Sequence, residues 1–390
     1  MTTPDAAAGP LRRRQAQRLA AQLLSGPPAA GTAEVARWLL AVQAQDPRGA
    51  RLAVRARSRA KSAADVDTAL TRDRSVVVTW LNRGTLHLVP AEDYWWLHPL
   101  TTPPLLRGNA RRLAQEGVPP ADAERAVTVI ERAVTAEGPL TRAQLAERIA
   151  AAGVRTQGQA IVHLLALASL RGLIVRGPMA ERDHAYALVR DWLGAPPARH
   201  AAFDRDRALA ELAVRYLAGH GPASDRDLAK WAGLPLRDAR YGLAAIAGRL
   251  ADRDDGLADL ALRRDAGPLP PPRLLGAYDP LLLGWDSRDP VVGPHGRLIA
   301  INGLFRPFAL VGGRAVGTWS LPGGKVALVP FAPLSGAEAA ALAADAAEVE
   351  RFLRPEPGRE PEPGPEAEPG PEAEPGLETE PGPEPGPADG

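Results

Sequence analysis

Twice in this 390-residue chain a Gly-Pro pair leads within three residues into a helix start: "GPLTRAQLAERI" over 138–149 and "GPASDRDLAKWA" over 221–232. Thr141 and Ser224 fall at the N-cap, where a side-chain oxygen accepts a hydrogen bond from an orphan N–H of the first turn. In both places a turn and a longer helix follow ("QAIVHLLALASLRG", "LRDARYGLAAI"). Short alternating segments come next: "LIVRGP" and "HAYALV" in one, "GLADLALRR" in the other. The N-terminal stretch repeats the logic with the helices "LRRRQAQRLAAQLL" and "TAEVARWLLAVQAQDP" and a third near "SAADVDTALTRD". The second of these is expected to be capped by Thr32, with Glu34 in its first turn. "SVVVTWLNRGTLHLVP" then alternates like a β-hairpin around Asn82-Arg83-Gly84. Helix, turn, helix and a two-stranded wing is the winged-helix plan, and the spacing predicts it three times.

Beyond residue 273 the texture changes to short alternating runs punctuated by Gly, Pro and Asn, which predicts a small antiparallel barrel or curled sheet. "LSGAEAAALAADAAEVERFL" reads as a last helix capped by Ser335. The expected class is therefore mainly α with small β. Its parts are winged-helix units over 11–120, 121–200 and 201–272, a β-barrel-like domain with the last helix over 273–354, and a tail over 355–390. The tail is Pro/Glu/Gly of low complexity and is expected to be disordered.

The formal net charge of +1 hides a division. The tail holds eleven acids and one Arg, so the other 354 residues carry 46 basic against 35 acidic groups, a net of +11. Only Lys61, Lys230 and Lys325 are lysines; the rest of the basic residues are arginines, whose guanidinium forks suit phosphate oxygens. With no cysteine, disulfides, thiolate metal sites and a Cys nucleophile are excluded. No two of the seven histidines are three to five residues apart, which argues against a helical metal site. No signal-peptide core or 18-residue uncharged stretch occurs, so a soluble cytoplasmic protein without a membrane partner is expected.

The unusual local feature is "LLAVQAQDPRGARLAV" at 39–54, with Gln43 and Gln45 read as ending an apolar helix that Asp46-Pro47 stops. If the segment is extended, Ala44 faces away from both glutamines. Two neighbouring carboxamides offer donors and acceptors without charge, enough to hold a water or a base edge.

Four motifs in order, "AVQAQDPRGA", "RGTLHLVP", "YDPLLLGWDSRD" and "GGRAVGTW", resemble those of the AlkZ/YcaQ-type winged-helix DNA glycosylases, over roughly residues 11–352. The resemblance implies three winged helices and a C-terminal barrel forming a C-shaped clamp on DNA. It also implies excision of alkylated bases by hydrolysis of the N-glycosidic bond, crosslinks included, in repair or in self-resistance to a genotoxin. Gln43-Ala44-Gln45 matches the Gln-apolar-Gln branch, so Gln43 and Gln45 would position the attacking water, with Asp46 as catalytic support. N7- or N3-alkylation makes a purine cationic and a good leaving group, so orienting water can suffice. A Schiff-base lyase needs an amine, and only Lys61 lies near the motif, so a monofunctional enzyme is expected. Arg48, Arg83 at the hairpin tip, His87, Arg288 and Arg314 are the expected DNA contacts. Asp279 is assigned either a DNA contact or an internal ion pair. No metal or cofactor is expected; the partner is duplex DNA with alkylated purines, met by a monomer. The competing readings are a non-catalytic winged-helix regulator or architectural protein, and a protein that sequesters the genotoxin.

Overall fold

The structure, a computed structural model, describes residues 4–180, 183–263, 266–301 and 303–354. The acidic tail expected over 355–390 lies outside them. The chain is mainly helical with small antiparallel sheets. Among the described residues no helix is long and apolar enough to cross a membrane.

Six strands make the first sheet: β1 (Val42–Gln43), β2 (Val76–Leu81), β3 (Thr85–Pro90), β4 (Leu140–Thr141), β5 (Ile174–Ala180) and β6 (Asp183–Leu188). Their order is β1-β3-β2-β5-β6-β4, all antiparallel. The two predicted hairpins, β2–β3 and β5–β6, therefore share one sheet, joined where Val78 faces Arg176. Val78, Trp80, Leu86 and Leu88 pack with Leu164, Leu165 and Ile130 in a core common to the first two helical stretches.

The predicted caps at the Gly-Pro starts are present. Gln144 N–H donates to Thr141 Oγ1 and Thr141 N–H to Gln144 Oε1 (3.3 and 2.9 Å). Ser224 and Asp227 make the same reciprocal pair, as do Ser335 and Glu338 at the last helix. Two starts are corrected. Gly31, not Thr32, precedes the helix Thr32–Leu39, and Glu34 instead accepts from Ala30 N–H at 2.7 Å. Asp46-Pro47 does not stop a helix but begins one, Pro47–Arg55: Asp46 Oδ1 accepts from Arg48 N–H at 2.9 Å, and Pro47 occupies the first position, which needs no N–H. The preceding helix has already ended at Leu40, buried in the left-handed region at φ 66°.

The third helical stretch differs from the first two. After the helix Leu236–Ala245 the expected strand pair is reduced, among the described residues, to isolated bridges Ala223–Ala258 and Leu250–Leu260. Asp259 takes Leu260 N–H and Arg263 Nε–H with its side chain (2.9 and 2.6 Å), a local pairing that competes with a ladder.

Of the barrel or curled sheet expected here, the barrel is corrected and an open sheet is found. β7 (Arg273–Leu275) is followed by a ribbon of β8 (Ala300–Ile301) and β9 (Leu304–Phe305), then β10 (Phe308–Val311), β11 (Arg314–Ser320) and β12 (Ala327–Pro330). The main sheet is open, in the order β12-β11-β10-β7. Four strands of this length cannot wrap to closure. The last helix, Gly336–Phe352, shields the β7 edge, where Asp345 Oδ2 accepts from Leu274 N–H at 2.7 Å. Trp319 is buried beneath this helix and donates to Leu275 O at 2.9 Å.

Candidate active site around the glutamine pair

The glutamines lie in extended chain at the edge of the six-stranded sheet. Gln43 faces His87 across the β1–β3 ladder, and Ala44 N–H donates to Leu86 O at 2.8 Å. Side chains alternate along extended backbone, so Ala44 turns into the core while Gln43 and Gln45 share the other face. Leu86 N–H donates in turn to the Gln45 side-chain oxygen at 3.2 Å, so Gln45 closes the strand pair with its own carboxamide. Both glutamines are 7 % exposed.

Arg83, at the β2–β3 tip, turns inward. Its Nη2 donates to Gln43 Oε1 at 3.4 Å, and its Nη1 to Trp231 O at 2.7 Å and Lys230 O at 3.2 Å. Burial, reinforced by the like charge of Arg288, holds its guanidinium down to about 10. His87 is pushed down to about 3, chiefly by burial and then by the Arg83 charge, so it is neutral at physiological pH. Its Nδ1 meets Thr85 O at 2.9 Å; a carbonyl only accepts, so Nδ1 carries the proton and Nε2 the lone pair.

Asp46 caps the next helix, and its charge adds to burial in raising the Tyr278 phenol above its ordinary range. Close approach brings this region together: a Cβ on Gly49 would lie 2.3 Å from Ala277 O, so only glycine lets the helix Pro47–Arg55 press against 276–278. Tyr278 packs on Phe305 with ring centroids 5.4 Å apart. Arg288 stands 4.9 Å over the same Phe305 ring and donates to Leu282 O at 2.9 Å.

The fold thus gathers Gln43, Gln45, Asp46, Arg83 and His87, with Arg288 beside Arg83. Arg48 is half-buried on the first turn behind Asp46. Arg314 stands apart, exposed at the β10–β11 tip near Arg14, Arg18 and Trp285. Asp279 is fully buried in a two-pronged pair with Arg57 (2.7 and 2.9 Å), settling its two assignments for the internal ion pair. Sequence reasoning overlooked Tyr278 and Phe305. Tyr278 sits inside a quoted motif; Phe305 carries no local signal, since its partner comes from a distant strand end. Among the described residues no three His, Asp or Glu converge as a metal set. What converges is a neutral pair of carboxamides with fixed directions, a neutral histidine and one nearby carboxylate, an arrangement suited to orienting a small polar molecule.

The model of the "DNA glycosylase AlkZ-like" family matches residues 36–352. The Streptomyces sahachiroi protein named "Interstrand DNA cross-link repair glycosylase" is 26 % identical over 363 residues, covering 86 % of this chain and 94 % of its own. The solved structure of Streptomyces sahachiroi DNA glycosylase AlkZ has the same fold, with a TM-score of 0.68 at 24 % identity, covering 87 % of this chain and 96 % of that one. With the match running over most of its length, this chain belongs to the AlkZ-like DNA glycosylase family.

Proposed function

We propose that this protein hydrolyses the N-glycosidic bond of N7- or N3-alkylated purines in duplex DNA, including bulky adducts and interstrand crosslinks. The observation that carries the reading is the pair Gln43 and Gln45 on one face of the extended segment that starts at β1, with Asp46 next in the chain as the cap of the following helix, within a family of DNA glycosylases. The name of the Streptomyces sahachiroi relative supports the crosslink substrate. Gln43 and Gln45 hold the attacking water by hydrogen bonds, and Asp46 accepts its proton as the bond to the sugar forms. A cationic alkylpurine leaves without a general acid, so positioning supplies much of the acceleration. The three helix pairs act as tandem winged helices, with the boundaries given above, and with the C-terminal sheet they embrace the duplex as an open C. Arg48, Arg288 and Arg314 grip phosphates, and His87 lies toward the lesion. The enzyme works as a monomer and without lyase activity: the ammonium of Lys230 is tied to Asp286 and that of Lys325 to Glu350.

Duplex DNA carrying N7-methylguanine, incubated with the protein and then treated with alkali, should be cut at the lesion. Gln43→Ala with Gln45→Ala should slow single-turnover excision by at least about 100-fold while leaving duplex affinity within about threefold. Full excision by that double variant would remove the glutamines from the chemistry. A crosslinked duplex unhooked to single strands would extend the substrate to crosslinks.

A further inference from the structure

The geometry points to Arg83 as a positioning residue: it fixes the direction of the Gln43 carboxamide and ties the reacting pair to the helix Asp225–Ala232 of the third helical stretch. This rests on the proposed role of Gln43 in excision.

The orientation follows from donor chemistry. An amide's oxygen and nitrogen are nearly isosteric, so which end points where is decided by the partners. Arg83 offers only donors, so the atom of Gln43 that it meets at 3.4 Å must be Oε1. Leu86 N–H is equally a donor, so the atom of Gln45 at 3.2 Å must be Oε1 as well. Both carboxamides are thereby locked with their oxygens toward the protein, and the amino ends are donors wherever they point. A water held by them is held through its lone pairs, which leaves its protons for an acceptor such as Asp46.

Arg83 is itself anchored. Lys230 and Trp231 present the last carbonyls of an eight-residue helix, the partially negative end that suits a guanidinium. Three of its five donors are committed to neutral oxygens of the protein, with no carboxylate among them. The docking is close: Gly233, left-handed at φ 68°, ends that helix, and a Cβ there would lie 3.0 Å from Asn82 C and O and 3.1 Å from Arg83 N. Displacing the tip would rotate the guanidinium away from Gln43 and free its carboxamide to flip. A surface phosphate contact has none of these ties, and the two roles separate experimentally.

The experiment is a double-mutant cycle on full-length protein with the N7-methylguanine duplex. Arg83→Ala should lower the single-turnover rate at saturating enzyme about 10- to 100-fold. Affinity should stay within about twofold, and the salt dependence of binding should keep its slope. In a Gln43→Ala background Arg83→Ala should cost almost nothing further, because its effect runs through Gln43. Arg83→Lys should recover only part of the rate, since an ammonium cannot span carbonyls and carboxamide as a fork does. Gly233→Ala, which alters neither charge nor any site side chain, should reproduce the loss with melting followed in parallel. A salt slope reduced by about one, with the saturating rate intact, would overturn the inference in favour of a phosphate contact. Independent, multiplying losses for Arg83→Ala and Gln43→Ala would overturn it in favour of a general structural prop. Absence of excision by the wild type would fail the proposed function instead. The coupling would then be read from urea unfolding, where the cycle should show at least about a threefold interaction in the unfolding constant, and none would overturn the inference.

Discussion

Two hairpins in this protein place an arginine at a tight glycine-containing tip, Arg83 between β2 and β3 and Arg314 after Gly312-Gly313 between β10 and β11. Their fates are opposite. The first tip is pressed against Gly233, and its guanidinium points inward to two helix carbonyls and Gln43. The second is held by its backbone: Gln15 Nε2 donates to Gly313 O and Pro290 O, and the Arg314 side chain stays exposed. The same local signal yields a positioning residue in one place and an exposed cation in the other. The difference lies in what packs opposite, a glycine that admits the tip in one case and a glutamine that clamps the chain behind it in the other.

The largest effect should come from breaking the tie between the halves that carry the two tips. Arg57 and Asp279 are both fully buried; Arg57 also donates to Gln22 Oε1 at 3.2 Å, and Gln22 Nε2 to Gly219 O at 2.7 Å. Asp279→Ala leaves a guanidinium buried without its counter-ion and should destabilise the fold by about 3–5 kcal/mol. Equilibrium urea unfolding measures this. A loss below about 1 kcal/mol would mean that water replaces the carboxylate and that the tie is not what joins the halves.

How much of this was legible follows the range of each interaction. The capping boxes at Thr141 and Ser224 are settled within four residues, and sequence alone places them. The β2–β3 hairpin is equally local. Asp46-Pro47 is local too, yet it serves a helix stop or a helix start, and the choice depends on Gln43 pairing with His87, 44 residues on. The reach of Arg83 to Trp231 spans 148 residues, which no window on the hairpin can contain. The choice between a barrel and a curled sheet stayed open for a similar reason. Alternation marks strands but not their number in one sheet, and Asp345 from the last helix takes the edge that a closing strand would need. The four ordered motifs reached further than any propensity because they index a whole fold, and Gln43-Ala44-Gln45 took its meaning from that match.

Acid should act on the first tip's surroundings. His87, beside Gln43, is held down to about 3, and burial does the same to His220, stacked 4.7 Å from Tyr216 and packed on Trp231. His98, whose Nε2–H donates to Ser169 O at 2.8 Å, is held to about 4, again by burial. A neutral imidazole whose folded value lies below its unfolded one near 6.5 is stabilising above that pH, and the contribution is lost as pH falls, because the unfolded chain then binds the extra proton. Between pH 7 and 5 each should cost about 2 kcal/mol. His220→Phe keeps an aromatic ring in the stack and should remove one proton's worth of slope from stability against pH. An unchanged slope would show that His220 stays uncharged in both states or is solvated in the fold.

The smallest effect belongs to the second tip. Arg314 is exposed and shares its hollow with Arg14, Arg18 and Trp285. Arg18 is spent on Pro222 O at 3.0 Å and on the Trp285 ring, 4.7 Å from its centroid, while Arg14 lies 3.7 Å from Asp255. Arg314 is therefore the cation of this group best placed to displace a counter-ion from DNA. Each phosphate contact contributes roughly 0.9 to the slope of log affinity against log salt on duplex DNA. Arg314→Ala should lower that slope by about one and weaken binding about three- to tenfold near 0.1 M salt, with excision at subsaturating enzyme falling in proportion. The measurement is fluorescence anisotropy with a labelled duplex across a salt series, run beside Arg83→Ala. If the two variants changed the slope equally, the tips would be doing the same work, and the contrast between an inward and an outward arginine would hold for the free protein but not for the complex.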